Sequence, residues 1–254
     1  MPDRRTKRGA HPKDEACFGP QTLPLLRQAV ADLSWLRSKG YSDRAALTLV
    51  GDRYSLRDRQ RKALQRCAAT DDQVLGREQK RVDVESLAND DLIIDGYNVI
   101  LSLEAALCDG VLLIARDGAL RDLAAMSSHY RRVQATRPAI ELLAEFVDHS
   151  QCTRVQLLLD RPVSNSGRLK QLITETVANR AAIWEVSLTD KTDQTLIASP
   201  NIVATADSVV LDRCDRWFNL ARKLVEQQIP GAWIVDLGQQ KPDPAKLLLE
   251  GHTE

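Results

Sequence analysis

The 254-residue sequence, with 43% hydrophobic side chains, is long enough for one large domain or two small ones with a real core. Its 35 basic and 35 acidic residues balance, so the overall charge indicates no partner. The charges are unevenly placed, because residues 1–90 hold 18 of the basic and 13 of the acidic residues. A basic binding surface followed by a cation-binding region would explain this distribution, and ordinary surface scatter explains it equally well.

The five cysteines show no metal-ligand spacing, which fits a reducing compartment. The N-terminal segment is positively charged but lacks a following apolar core, so it does not resemble a secretory signal. No apolar run is long enough to cross a bilayer. We therefore expect a cytoplasmic protein that makes no membrane contact. Its oligomeric state stays open, with a homo-oligomer as one option.

The N-terminal third of the sequence predicts a tail and a helical module. Residues 1–20 are rich in charge, Pro and Gly and indicate a flexible basic tail. Residues 21–88 carry apolar side chains at the spacing of amphipathic helices. We expect three helices, the second capped by Ser42 and the third by Ser55. The polar residues 70–90 are expected to form a connection.

The third predicted helix has a strongly basic face. Such a face binds nucleic-acid phosphates in some proteins, although a solvated face is the commoner explanation of a charge run. A second basic cluster follows later in the chain, at the expected rim of the sheet. The candidate RNA-binding residues are Arg57, Arg61, Lys62 and Arg66 on the helix, and Arg131 and Arg132 in the second cluster.

Residues 89–254 alternate short apolar runs with helical stretches. The runs do not alternate in polarity, which is typical of parallel strands covered on both faces. The alternation predicts an α/β domain, a doubly wound parallel sheet flanked by helices. One predicted helix covers 118–132, and a long one covers 208–228. The strands are expected at "LIIDG", "VQLLLD", "AIWEVSL", "NIVATAD" and "AWIVDLG".

Aspartates follow several of these strands. Asp95, Asp160 and Asp207 each end a predicted strand, and a fourth strand leads into a short helix with Asp190 and Asp193 on one face. The carboxyl ends of parallel strands meet at one edge of the sheet, so these groups should converge and repel one another unless a cation binds. Oxygen ligands favour Mg²⁺ or Mn²⁺. Each acid alone is more commonly a turn former or a helix cap.

These stretches resemble the PIN-like nucleases, particularly their NYN branch. The motifs "LIIDGYNVI", "LLLDRPVS", "TDKTDQTLI" and "IVATAD" are similar to the family's acidic motifs, in the same chain order. The resemblance implies a PIN-like fold in which Asp95, Asp193 and Asp207 bind metal. It implies that Asp160 assists catalysis and that Asn98 lies at the substrate. Residues 21–88 resemble a helical module that precedes such domains in uncharacterised prokaryotic proteins.

The resemblance implies a metal-dependent endoribonuclease whose helical module helps to bind RNA. The alternative is a catalytically inactive RNA-binding or assembly protein that retains the fold. A phosphatase of the haloacid dehalogenase type also begins with an acid after a strand. That chemistry needs a second acid two residues later, where this chain has Tyr97.

Several further residues are weaker candidates. Glu104 loosely matches a helical acid of PIN domains. Asp117, Arg121 and Asp122 form a charged cluster that either contacts substrate or, as we favour, decorates a helix surface. Asp190 is a second acid beside Asp193. Ser164 and Ser166 precede a helix whose N-terminus could hold a phosphate.

Overall fold

A computed structural model describes residues 9–123 and 130–239 of the chain. It confirms an α/β protein with a mostly parallel sheet flanked by helices and with an N-terminal helical region. The described residues contain no helix that is both long and apolar enough to cross a bilayer. The chain forms two compact units, which are described separately. The helical unit comprises residues 11–79, 113–123 and 234–239, and the sheet unit comprises residues 9–10, 80–112 and 130–233.

The first helices of the chain form most of the helical unit. Ser42 caps one of them as predicted, because its side chain accepts a hydrogen bond from the backbone N–H of Ala45. Apolar side chains such as Leu26, Leu33 and Leu64 are fully buried there. The helices are α1 (Asp14–Phe18), α2 (Leu23–Ser38), α3 (Asp43–Arg53), α4 (Asp58–Cys67) and α5 (Asp71–Lys80).

Two predictions about the N-terminal region are wrong. Residues 14–18 belong to α1 rather than to a flexible tail, and Asp14 is buried in an ion pair with Arg59. Ser55 does not cap α4, which begins three residues later; its own φ of 49° places it in a left-handed turn. Residues 1–8 of the predicted tail lie outside the described residues.

The predicted connection over residues 70–90 contains helix α5. Thr70 and Gln73 explain why, because the Thr70 hydroxyl accepts from the Gln73 N–H and the Gln73 side chain accepts from the Thr70 N–H. This reciprocal pair is a capping box, which starts a helix by satisfying its first N–H groups. A short 3-10 turn at Val84–Leu87 completes the connection.

The strands and the remaining helices follow in chain order. In the described residues the strands are β1 (Asp91–Asp95), β2 (Leu112–Ile114), β3 (Leu120–Asp122), β4 (Arg154–Asp160), β5 (Ile183–Thr189), β6 (Ile202–Ala204) and β7 (Ile234–Asp236). The helices are α6 (Gly96–Leu107), α7 (Thr136–His149), α8 (Ser166–Val177), α9 (Thr192–Ile197), α10 (Ser208–Arg213) and α11 (Leu220–Gln228).

The sheet unit is built on a parallel sheet of strand order β5-β4-β1-β6. Successive strands are added on one side of β1 until β6 pairs on its other side. The order therefore reverses between β1 and β6, and the carboxyl ends of strands at such a reversal are a common ligand position. Helix α6 begins immediately after β1 at Gly96, where a Cβ atom would lie 2.7 Å from the Leu158 carbonyl oxygen.

The helical unit contains a second, small sheet of order β3-β2-β7. The sequence predicted a helix over residues 118–132. This prediction is wrong for residues 120–122, which form strand β3. The backbone of Ala115 and Ala119 is hydrogen-bonded instead, which joins β2 to β3 through a tight turn at Gly118. Residues 124–129 of the predicted helix lie outside the described residues.

The long helix predicted over residues 208–228 is divided into α10 and α11. The fully buried Trp217 lies between them. Its backbone N–H donates to the Lys80 carbonyl, and its own carbonyl accepts from the Val82 N–H. These bonds and the Phe218 N–H donation to the Val203 carbonyl replace the helical hydrogen bonds.

Candidate functional site

The four predicted acids lie at the carboxyl edge of the main sheet. Asp95 ends β1, Asp160 ends β4, Asp207 follows β6, and Asp193 lies in the first turn of α9. Burial is the largest cause of the raised pKa values of Asp95 and Asp193, and the charges of Asp160 and Asp207 add to both rises. The structure therefore places these acids within electrostatic range of each other. We call them the acidic cluster.

Asp95 is the buried member of the acidic cluster, with 8% of its surface exposed. One of its carboxylate oxygens accepts from the Asn98 N–H at 3.3 Å, and the other accepts from the Thr205 hydroxyl at 2.9 Å. Burial raises the pKa of Asp95 to about 7, and the charges of Asp160 and Asp207 add to the rise against the lowering effect of these two donors.

Asp207 is held by the loop after β6. Its Oδ1 atom accepts from the N–H groups of Val209 and Val210 and so caps α10. Its own N–H donates to the Thr205 hydroxyl at 3.0 Å. The Asn98 side-chain oxygen accepts from the Ala206 N–H at 2.8 Å. Asn98, predicted at the substrate, therefore uses its oxygen to hold the loop that carries Asp207.

Asp160 and Asp193 are connected through Thr192, the first residue of α9. The buried Thr192 hydroxyl donates to Asp160 Oδ1 at 2.5 Å, which ties the start of α9 to the end of β4. Asp193 is exposed at the rim, and partial desolvation followed by the charges of Asp207 and Asp160 raises its pKa. The acidic cluster thus contains a buried member, Asp95, and an exposed member, Asp193.

The donor chemistry of the acidic cluster fits a hard divalent cation. Within residues 9–123 and 130–239, no donor binds Asp160 Oδ2, Asp207 Oδ2 or either Asp193 oxygen. The same residues contain no group of three or more His, Cys, Asp or Glu side chains arranged as the ready-made ligands of one ion. The open oxygens are of the type that Mg²⁺ accepts, whereas the missing group of three ligands gives no support for a metal. The acidic cluster does not form a closed set of ligands around one ion.

Two threonines of the site were missed by the sequence analysis. Thr192 and Thr205 are buried, and each donates its hydroxyl proton to one carboxylate of the acidic cluster. A buried carboxylate needs such donors, and the neighbouring residues that supply them often tune a site as strongly as the ligands do. The signal in the sequence was a hydroxyl residue placed near a strand-terminal acid, as in "TDKTDQ" and "ATAD".

Glu104 is structural in its observed contacts. It is fully buried on α6, where its Oε1 atom accepts hydrogen bonds from the hydroxyls of Tyr130 and Thr136. These bonds join α6 to the start of α7. The contacts that the structure records for Glu104 therefore stabilise helix packing.

Asp117, Arg121 and Asp122 do not decorate a helix surface, and the prediction that they do is wrong. They lie in and before β3, and all three are buried. Asp117 accepts from Arg77 at 2.6 Å and from Arg121 at 2.7 Å. Burial would raise the pKa of Asp117, but the two guanidinium groups lower it well below its usual range. The ion-paired triad of Arg77, Asp117 and Arg121 is therefore part of the interior of the helical unit.

The basic face of α4 is less uniform than the sequence predicted. Arg61 and Arg66 are half-buried beside acids, with Arg61 2.7 Å from Asp52 and Arg66 3.7 Å from Asp122. The remaining candidate RNA-binding residues are exposed to solvent. They are Arg57 and Lys62 in the helical unit, and Arg131 and Arg132 in the sheet unit.

Asp190, Ser164 and Ser166 do not join the acidic cluster in the observed contacts. Asp190 precedes α9 instead of sharing a helical face with Asp193, and it pairs with the exposed Arg161 at 3.1 Å. The Ser166 hydroxyl donates to the Arg161 carbonyl at 3.2 Å. Ser164 is half-buried just before α8.

Comparisons with known proteins cover most of the chain. The uncharacterized protein MJ0935 of Methanocaldococcus jannaschii is 28% identical over 186 residues, which cover 73% of this chain and 88% of that protein. No solved structure shows a significant match. The helical region matches, over residues 25–80, the family described as "Protein of unknown function (DUF434)". Neither family is described as PIN-like or as a nuclease, so the likeness to PIN-like nucleases stays a prediction. The model described as "Domain of unknown function (DUF5616)" matches residues 84–223, more than half of the chain, and the chain belongs to that family.

Proposed function

We propose that this protein is a divalent-cation-dependent endoribonuclease with a PIN-like sheet unit. The observation that carries the proposal is the electrostatic effect of Asp160 and Asp207 on both Asp95 and Asp193 at the reversal of strand order. Four carboxylates brought together by three strands and a helix cost stability unless a cation binds them. Their oxygen donors select Mg²⁺ or Mn²⁺.

The open oxygens define which residues would hold the cation. Asp193 and Asp207 each offer an oxygen without a donor in the described part of the chain, and Asp95 is the buried acid whose pKa Asp207 affects. Bound Mg²⁺ or Mn²⁺ would neutralise charge that develops on a phosphodiester and would lower the pKa of water. Asp95 must lose its proton to take part, because its pKa lies near 7.

Asp160 is suited to receive a proton from the attacking water. The Thr192 hydroxyl donates to its Oδ1 atom at 2.5 Å, which leaves the Oδ2 atom to accept that proton. The water oxygen would attack phosphorus in line, and a bridging P–O bond would break as the leaving ribose oxygen takes a proton from solvent. Asp160 would hold the proton released by water.

RNA contacts are proposed for the exposed cations. Arg131 and Arg132 lie exposed in the sheet unit, just before α7. Arg57 and Lys62 lie exposed on the helical unit. Guanidinium and ammonium groups bind phosphates with little sequence preference, and this binding weakens as salt rises.

A catalytically inactive RNA-binding or assembly protein is the second candidate. The observation that favours it is the lack, in the described residues, of a ready-made set of three metal ligands. Such a protein would bind RNA equally well with and without a divalent cation and would cleave none. The acids would then serve as caps of α6 and α10, which Asp95 and Asp207 already are.

The deciding experiment compares Asp95→Asn with the wild type on single-stranded RNA in the presence of manganese. We expect cleavage to fall about 100-fold or more, because several kcal/mol of charge stabilisation depend on the site. Asp148→Asn is the matched control, since Asp148 is half-buried in an ion pair with Arg180 near the end of α7 and is not part of the acidic cluster. Equal cleavage by the Asp95 variant and the wild type contradicts the assignment.

A further inference from the structure

Tyr97 lies at the acidic cluster with a hydroxyl that the proposed chemistry does not use. It is the second residue of α6, two residues beyond Asp95, and only 1% of its surface is exposed. Its hydroxyl is buried and makes no hydrogen bond with any described residue. Buried polar atoms nearly always have a partner, so this one requires an explanation.

The end of β1 and the start of α6 lie beside the end of β4. Asp95, the last residue of β1, is paired with Leu158 on β4, two residues before Asp160. The start of α6 also packs tightly on β4, since a Cβ at Gly96 would approach both Leu158 and Leu159 within 3 Å. Burial, followed by the charge of Asp160, raises the pKa of Tyr97 to about 12, which agrees with this placement.

The Tyr97 ring is held in place from its other side. Its centroid lies 5.4 Å from that of Tyr130, with the two rings tilted by 58°. The Tyr130 hydroxyl donates to Glu104, and its carbonyl accepts from the Asn165 side chain at 2.9 Å. Asn165 lies five residues after Asp160 in the loop before α8. The ring is therefore fixed between α6 and that loop.

Tyr97 and Asp160 have complementary hydrogen-bonding groups. Tyr97 has a donor without an acceptor, and Asp160 Oδ2 is an acceptor without a donor in the described residues. A buried water that bonds to such groups is a normal part of a protein interior. We propose that Tyr97 is a positioning residue for Asp160, with its hydroxyl donating to a water molecule that in turn donates to Asp160 Oδ2.

This role deepens the proposed function. Its catalytic part rests on that function, because it requires Asp160 to assist hydrolysis, whereas the link between Tyr97 and Asp160 does not. Thr192 would hold one oxygen of Asp160 directly, and Tyr97 would hold the other through water. Asp160 would then keep one orientation as a proton acceptor. Loss of the Tyr97 hydroxyl should lower kcat, while KM for RNA and the Kd for manganese change little.

The test is a double-mutant cycle on the full chain. We expect Tyr97→Phe to lower Tm by about 2–4 °C in the wild-type background, because one buried hydrogen-bonded link is lost. In the Asp160→Ala background the same change should shift Tm by less than about 1 °C. Asp160→Leu, which also lacks an acceptor, provides a second background if the alanine variant does not fold. Equal Tm losses in both backgrounds overturn the link between Tyr97 and Asp160.

Activity supplies a separate readout. Tyr97→Phe should lower kcat about 10-fold with KM within about 2-fold, a split that a general loss of structure does not produce. Tyr54→Phe is the control, because it removes a tyrosine–aspartate hydrogen bond of 2.8 Å to Asp32 in the helical unit. It should leave kcat unchanged. Unchanged kcat in Tyr97→Phe overturns the positioning role, whereas a wild type that cleaves no RNA refutes the proposed function and leaves the Tm cycle decisive.

Discussion

Asp95 and Thr205 are 110 residues apart in the chain, yet the Thr205 hydroxyl donates a 2.9 Å hydrogen bond to the Asp95 carboxylate. The same hydroxyl accepts from the Asp207 N–H at 3.0 Å. One buried hydroxyl therefore connects two acids across the point where strand order reverses. The acids are held together by a neutral donor rather than by a basic side chain, which leaves their charge available to a cation.

Replacing Thr205 with valine should destabilise the protein by about 1–3 kcal/mol, since a buried Asp95 oxygen loses its donor. The donor also lowers the Asp95 pKa, so its loss should raise that pKa further. The destabilisation should then be larger at pH 8, where Asp95 is charged, than at pH 6. Urea unfolding at both pH values measures it. Thr205→Ser keeps the hydroxyl and is the control; equal unfolding free energies for the two variants would contradict the prediction.

Asn98 should act through the loop that carries Asp207 rather than through substrate. Asn98→Ala frees the Ala206 N–H and should cost about 0.5–1.5 kcal/mol in unfolding free energy. Asn98→Asp keeps an acceptor but adds a negative charge beside the acidic cluster. Its Tm should therefore fall below that of the wild type at pH 8 and recover when magnesium chloride is added. A Tm for Asn98→Asp that is insensitive to both pH and magnesium would show that Asn98 lies outside the field of the acids.

The Asp95 pKa predicts that the folded state loses stability as pH rises and that a divalent cation restores stability at high pH. Its pKa is about 7 in the folded state, above the value of about 3.9 in an unfolded chain, so the folded state binds the extra proton. This contribution to stability is fully present below about pH 4 and is lost as pH rises through 7. A divalent cation favours the charged form, so magnesium should raise Tm more at pH 8 than at pH 6.

Asp95→Asn removes the titrating group and serves as the reference for both effects. The difference in unfolding free energy between wild type and this variant should change between pH 5 and pH 8 and then level off. Differential scanning fluorimetry with and without magnesium supplies the second measurement. A magnesium-dependent Tm rise that is the same in both proteins, or at both pH values, would mean that the cation binds elsewhere.

The main sheet and its acids could be predicted because their signals are local. The strands of the sheet unit are short apolar runs without alternation, and β1, β4 and β5 formed where such runs occur. An acid after a parallel strand must lie at the sheet's carboxyl edge whatever else the chain does. The position of Asp95, Asp160 and Asp207 at this edge therefore followed from fold class alone.

The remaining features depend on partners that are distant in sequence. Asp117 and Arg121 are four residues apart, the spacing of a surface ion pair on a helix, but here Arg77 arrives from α5 and the group is buried beside β3. Trp217 interrupts an otherwise helical pattern because Lys80 and Val82 bond its backbone. Likewise, Thr192 is a donor to Asp160 only because β4 and β5 are neighbours.

The buried triad of Arg77, Asp117 and Arg121 should dominate the stability of the helical unit. Asp117→Ala leaves two buried guanidinium groups without their shared carboxylate and should cost about 3–5 kcal/mol in unfolding free energy. Asp52→Ala is the matched control, because it also removes an arginine–aspartate pair, with Arg61, but its carboxylate is 69% exposed. An exposed pair contributes about 0–1 kcal/mol, so urea unfolding should separate the two variants by several kcal/mol. If both variants unfold at the same urea concentration, Asp117 is solvated in solution and the triad does not form part of the interior.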